Sequence, residues 1–171
     1  MIKIRPERDE DHDAIFKVLC AAFGRENEAR LVDELRASDS FAMDLSLVAL
    51  KDGVVAGHIL FSPIKIEVKN GFLPALALAP LSVLPDLQNQ GIGSELVKQG
   101  LARCRELGHK VVIVLGHPDY YTNLGFSSAS ANHIEAPFPI PDEAFMVLEL
   151  VPGVLDGISG IVKYPAAFDN V

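Results

Sequence analysis

Apolar residues change their spacing repeatedly along this chain, and each change marks a predicted element. Ile2 to Arg5 alternates like a strand, and Pro6 ends it. Ile15, Val18, Leu19 and Ala22 then share one helical face, with Asp9, Glu10, Asp11 and Asp13 near its start, where the helix dipole favours negative charge. A second helix is predicted from about Asn27 to Ala37, with Leu31, Val32 and Leu35 inward. Leu45 to Leu50 and Val54 to Leu60 read as strands joined by Asp52-Gly53, a strong hairpin pair. Ile64, Ile66 and Val68 alternate with Lys65, Glu67 and Lys69, so one face of that stretch is wet, and Asn70-Gly71 marks another turn.

The middle of the chain turns continuously apolar. Ala75 to Leu84 reads as a buried strand, and Val111 to Leu115 as a second. Between them Ile92, Leu96, Val97, Leu101, Cys104 and Leu107 recur at helical spacing until Gly108 stops the run. Ser127 to Asp142, with Pro137, Pro139 and Pro141, is expected to be a surface loop rather than a linker between domains. Phe145 to Leu150 resumes a strand that Pro152-Gly153 turns, and Ile161-Val162 gives the tail enough strand character to pack back on the sheet.

Composition narrows the class without naming a function. The 171 residues suit one domain with a substantial core, and 49% hydrophobic with 22% charged residues is ordinary for a soluble globular chain. No window approaches the roughly 18 apolar residues of a membrane span, and Met1 to Arg5 carries no secretory h-region, so a cytoplasmic location is expected. Cys20 and Cys104 lie on apolar helical faces and read as reduced core residues. A net charge of −8 argues against nucleic acid as the main partner. Residues 1–44 sum to −4 and residues 111–171 to −6, whereas residues 45–110 sum to +2. The acidic ends could attract a cationic amine, or simply decorate solvated loops.

That one net-positive segment holds the stretch with the most chemical content, Gln88-Asn89-Gln90-Gly91-Ile92-Gly93-Ser94. It is a turn that follows a strand and opens a helix. The first N–H groups of a helix lack intrahelical partners and carry partial positive charge, and glycines there let a polyanion come close. The geometry suits a phosphate or pyrophosphate. A Walker A loop is excluded because no Gly-Lys pair has its spacing. A Rossmann fingerprint is excluded by the mid-chain position and by Leu96.

The stretch resembles the Q/R-x-x-G-x-G/A motif of the GNAT superfamily, the acetyl-CoA-dependent N-acyltransferases. Tyr120-Tyr121-Thr122-Asn123-Leu124-Gly125-Phe126 looks like that superfamily's Y-x-x-x-G-F signature, and the elements between the motifs occur in its order. The resemblance covers residues 1 to about 150, and the wording G-H-P-x-Y-Y-x-x-x-G-F looks most like the bacterial YhbS-type branch. It implies an α/β (α+β) fold: one GNAT-like domain over residues 1–171, with a central, mostly antiparallel mixed sheet splayed in the middle and flanked by helices.

The resemblance also implies site residues. Gln88, Asn89, Gln90, Gly91, Ile92, Gly93 and Ser94 would hold the pyrophosphate of acetyl-CoA (coenzyme A) as co-substrate. A bulge would leave the backbone of Leu81, Ser82 and Val83 free for the pantetheine arm; Pro80 fits a bulge, though it could merely close the strand. Tyr121 stands at the offset of the tyrosine that protonates the departing thiolate, and the competing reading is a core aromatic; Tyr120 has the wrong offset. A phenol near pKa ~10 keeps its proton at neutral pH. Relatives often carry an acid on the motif strand, but Pro74 to Pro85 contains none. Glu28, His58 and His117 are therefore the candidates near the amine, with His117 standing where relatives often have Asn. For His58 the structural reading, a satisfied strand histidine, comes first, and Glu28 could as easily be a first-turn residue favoured by the dipole.

No His/Cys spacing supports a metal site, and no G-x-S-x-G elbow supports a serine hydrolase. The expected activity is transfer of an acetyl group from acetyl-CoA to a primary amine by direct attack in a ternary complex, without a metal. A non-catalytic acyl-CoA-binding or regulatory module with the same fold is the rival. The expected partner is a small-molecule or peptide amine, not nucleic acid or membrane, and a homodimer is left open.

Overall fold

The structure is a computed structural model describing Met1–Val171. Its elements are β1 (Ile2–Pro6), α1 (His12–Phe23), α2 (Asn27–Arg36), β2 (Ser46–Lys51), β3 (Val54–Val68), β4 (Gly71–Val83), α3 (Ile92–Glu106), β5 (Val111–Leu115), α4 (Pro118–Thr122), β6 (Ser127–Ser128), β7 (Ile134–Glu135), β8 (Phe145–Glu149) and β9 (Gly160–Lys163). The chain divides into two compact units: residues 1–62, 79–103 and 166–171 form the first, and 63–78 with 104–165 the second. The strands β3 and β4 and the helix α3 contribute to both.

In the first unit β1 pairs antiparallel with β2, and β2 with β3. Asp52 and Gly53 turn the β2–β3 hairpin with φ of 52° and 81°, the left-handed pair that a two-residue turn demands. The expected helical faces are the ones buried: Ile15, Val18 and Leu19 of α1 and Leu31, Val32 and Leu35 of α2 pack with Val48, Val55 and Leu60. On α3, Gly100 lies so close to Phe61 that a Cβ would come within 2.3 Å of its ring, so a glycine is required where helix and strand meet.

In the second unit β5 pairs antiparallel with β8 along its whole length, and β8 takes β6 on its other side. The parallel pairing of β4 with β5 covers only Leu76↔Val112 and Ala77↔Ile113, although β5 runs on to Leu115. The early end of that ladder is the local form of the expected splay. The tail returns as predicted: β9 pairs with Lys65–Glu67 of β3 and with β7.

The reading of β3 changes. β3 is one strand of 15 residues rather than a strand ending at Leu60 followed by a separate wet stretch. Pro63 sits where β3 has left β2, after Leu60, and has not yet met β9, at Lys65, so its missing N–H breaks neither ladder. Pro80, whose bond to Ala79 is cis, stands inside β4, which runs on to Val83 as the strand reading of that stretch expected.

Candidate active site

In the first unit the segment after β4 folds into one 3₁₀ turn, Pro85–Leu87, and then the glycine turn. Gln88 Nε2 donates to the Val83 carbonyl at 3.0 Å and Gln90 Nε2 to the Asp86 carbonyl at 3.3 Å, so both side chains tie the turn to itself. Asn89 and Gly91 take φ of 62° and 88°. Asn accepts that left-handed backbone with little penalty and glycine with none. The carbonyl of Gly91 accepts from Glu95 N at 3.0 Å, which makes Gly91 the N-cap and leaves the amides of Ile92 and Gly93 in the helix's first turn, without intrahelical acceptors. Gln88 to Gly91 are exposed, Gly93 and Ser94 half-buried, and Ile92 buried beneath them as an anchor.

Upstream, Leu81 and Val83 are half-buried, and Ser82 is buried with its hydroxyl reaching the His58 carbonyl at 3.4 Å. Leu84 N donates to Ala56 O at 2.8 Å, which sets Ser82 opposite His58 across the strand pair. The two strands touch closely here: a Cβ on Gly57 would meet the Ser82 carbonyl at 3.0 Å.

His58 and Glu28 are both buried. His58 is 0% exposed, and its Nε2 lies 2.8 Å from Ser46 Oγ. Ser46 Oγ donates to Glu7 Oε1, and Arg36 grips the same carboxylate through Nε at 2.8 Å and Nη2 at 3.0 Å. His12 Nε2 lies 3.0 Å from Glu7 Oε2. Burial alone would raise the Glu7 carboxyl, but hydrogen bonds from His58, Arg36 and Ser46 together with the Arg36 charge hold it far below the usual carboxylate range. Burial pushes the His58 imidazole down, against the pull of Glu7. Glu28, at the start of α2, is buried under a two-pronged ion pair with Arg25, whose Nε donates at 2.9 Å. Its carboxylate is already engaged. Sequence reading missed Glu7, Arg36 and Ser46 entirely, because nothing in their spacing says that they converge on one imidazole.

In the second unit His117 precedes α4 and is exposed, its carbonyl accepting from the amides of Tyr120 and Tyr121 at 3.2 Å each. Tyr121 is buried, 7% exposed, edge-on to Tyr120 and to Phe126 at centroid distances of 4.9 and 5.5 Å. Gly116 makes room for its ring, since a Cβ there would lie 2.5 Å from Tyr121 Cε2. Burial, with a smaller contribution from Tyr120, raises the phenol well above its ordinary value, so it keeps its proton throughout the neutral range.

Residues 3–129 match the acetyltransferase (GNAT) domain, and the chain belongs to that family. The uncharacterized N-acetyltransferase YhbS of Escherichia coli (strain K12) is 35% identical over 168 residues, 98% of each chain. The uncharacterized N-acetyltransferase YjhQ of the same organism is 37% identical over 134 residues, 78% of this chain and 74% of that one. Among solved structures, E. coli YhbS in complex with CoA has a TM-score of 0.89 at 33% identity, covering 98% of this chain and 91% of that one. A GNAT family acetyltransferase from Brucella melitensis in complex with acetyl-CoA has a TM-score of 0.79 at 36% identity, covering 99% of each.

A substitution in the turn separates strain from ligand contact. Gly91→Val forces a β-branched residue to a φ of 88° and is expected to lose stability and acetyl-CoA affinity together. Gly91→Asn tolerates the backbone, and since a Cβ there meets nothing within 4 Å, its side chain fills only open space that a ligand at the helix start would use. Calorimetric titration with acetyl-CoA should show at least a tenfold loss in Gly91→Asn with a melting temperature near wild type. Wild-type affinity would remove the turn from the cofactor site.

Proposed function

We propose that this protein transfers an acetyl group from acetyl-CoA to a primary amine by direct attack within a ternary complex, with residues 1–171 acting as one N-acetyltransferase domain. The observation that carries the reading is the glycine-capped start of α3 directly after β4, in a chain 33% identical to a structure with CoA bound. Gln88 to Ser94 would hold the pyrophosphate on the amides of the helix start, and Leu81, Ser82 and Val83 would run beside the pantetheine arm. Nothing in the donor set calls for a metal.

The amine must reach the thioester neutral, and a lysine-like amine with pKa ~10.4 arrives charged. His117, exposed before α4, and His58, in β3, are the candidates for taking that proton. The attack builds negative charge on the thioester oxygen, and collapse expels the thiolate toward the Tyr121 hydroxyl. Initial rates at varied acetyl-CoA and amine test direct attack. Intersecting double-reciprocal lines are expected; parallel lines, the mark of a covalent acetyl-enzyme, would contradict it.

A further inference from the structure

Pro74 to Pro85 carries no acid, and the first unit holds a buried polar array of Glu7, Arg36, Ser46 and His58. Glu7 extends β1 and its amide donates to the Ser46 carbonyl at 2.8 Å. Ser46 begins β2 and His58 lies in β3, on strands whose register pairs Ser46 with Leu60 and Val48 with His58. Side chains two apart share a face, so Ser46 and His58 point to the same side, toward α1 and α2, whose residues pack with Val48 and Leu60.

Hydrogen counting fixes the tautomer. The Glu7 carboxylate, ionised beside Arg36, can only accept, so the single proton of Ser46 Oγ goes to it. Ser46 Oγ must then accept from His58, which places the imidazole proton on Nε2. Burial pushes the imidazole toward its neutral form, which with the proton on Nε2 leaves the lone pair on Nδ1, and that atom is buried without a hydrogen-bond partner. An unsatisfied acceptor inside a protein is costly, so an atom left in that state calls for an explanation. The same residue stands opposite Ser82, in the strand proposed to run beside pantetheine.

We propose that His58 Nδ1 is the proton acceptor for the amine, directly or through one water, with Ser46 and Glu7 as the positioning residues that hold its tautomer and offset the imidazolium charge. This rests on the acetyl-transfer reading above. The ammonium N–H bond breaks, its electron pair stays on nitrogen, and the proton bonds to Nδ1. The freed pair attacks the thioester carbonyl carbon, and the C–S electrons leave with sulfur. The second proton, shed as nitrogen becomes the amide, replaces the one that sulfur takes, and His58 returns its proton to solvent. Glu7 stays ionised throughout: Arg36, at 14% side-chain exposure, and His12 of α1 both face it.

His58→Gln is the test, because the Gln amide keeps a donor toward Ser46 and lacks the basic nitrogen. With a lysine-like amine the wild type should show an acidic limb in its kcat/KM profile. In His58→Gln that limb should vanish and kcat at neutral pH should fall about 10²-fold or more, with acetyl-CoA affinity unchanged. His117→Asn should keep the limb. Nitrogen NMR of wild-type His58 should report the Nε2–H tautomer, a readout that needs no variant to fold. An Nδ1–H tautomer, or a limb that survives in His58→Gln and disappears in His117→Asn, would overturn the proposal. A wild type that turns over no amine would overturn the acetyl-transfer reading itself, a different result from turnover insensitive to His58.

Discussion

Tyr121→Phe is expected to lower kcat by about 10²–10⁴-fold while leaving acetyl-CoA affinity and the melting temperature close to wild type. The substitution keeps the ring that Gly116 admits and that stands edge-on to Tyr120 and Phe126, and removes one hydroxyl. Burial holds that phenol protonated, and a thiol ordinarily titrates near ~8.5. Complete transfer from phenol to thiolate is therefore uphill. The hydroxyl helps most as a hydrogen bond to sulfur while charge develops on it, an interaction made in the transition state and not in the ground state. Thioesters with more acidic leaving thiols should lose less. Full activity in Tyr121→Phe would return the residue to the role of a core aromatic.

Arg36→Ala carries the largest expected effect on stability, about 3–5 kcal/mol, because it leaves the fully buried Glu7 carboxylate without its cation. The pH dependence has a definite sign. The folded Glu7 value lies below its unfolded one near ~4.3, so this group stabilises above that range and the contribution is lost as pH falls through it. The folded His58 value is also depressed, so stability already declines as pH falls below about 6.5, where the unfolded imidazole takes up its proton. Without Arg36 the Glu7 depression shrinks, and the gap between variant and wild type should narrow on acidification. Urea midpoints across the acid range measure this directly; a gap that is constant with pH would mean that the pair is not what Arg36 contributes.

The local parts of this fold were legible because local chemistry specifies them. Asp52-Gly53 makes its turn, and Gly91, placed by its neighbours as a helix start, caps α3. Val111–Leu115 matched to the residue because a continuous apolar run bounded by Gly108 and Gly116 has little choice. The union of the two halves of β3 was hidden by Ser62-Pro63, a pair that looks like a break until the change of partner strand explains it. The Glu7–Arg36–Ser46–His58 array was not legible at all, since its members come from three elements and the residue after β1 and meet only in space. For the same reason the sequence could not show that Glu28 pairs with Arg25 or that His58 Nε2 meets Ser46.

Release of free CoA thiol from acetyl-CoA, measured across a panel of primary amines spanning α-amino and lysine-like basicity, tests the account's central claim most directly. The account predicts thiol release that depends on the amine, matched mole for mole by N-acetylated product, and suppressed in Tyr121→Phe. Tight binding of acetyl-CoA with no amine-dependent release from any member of the panel would contradict it, and would make this chain an acyl-CoA-binding module.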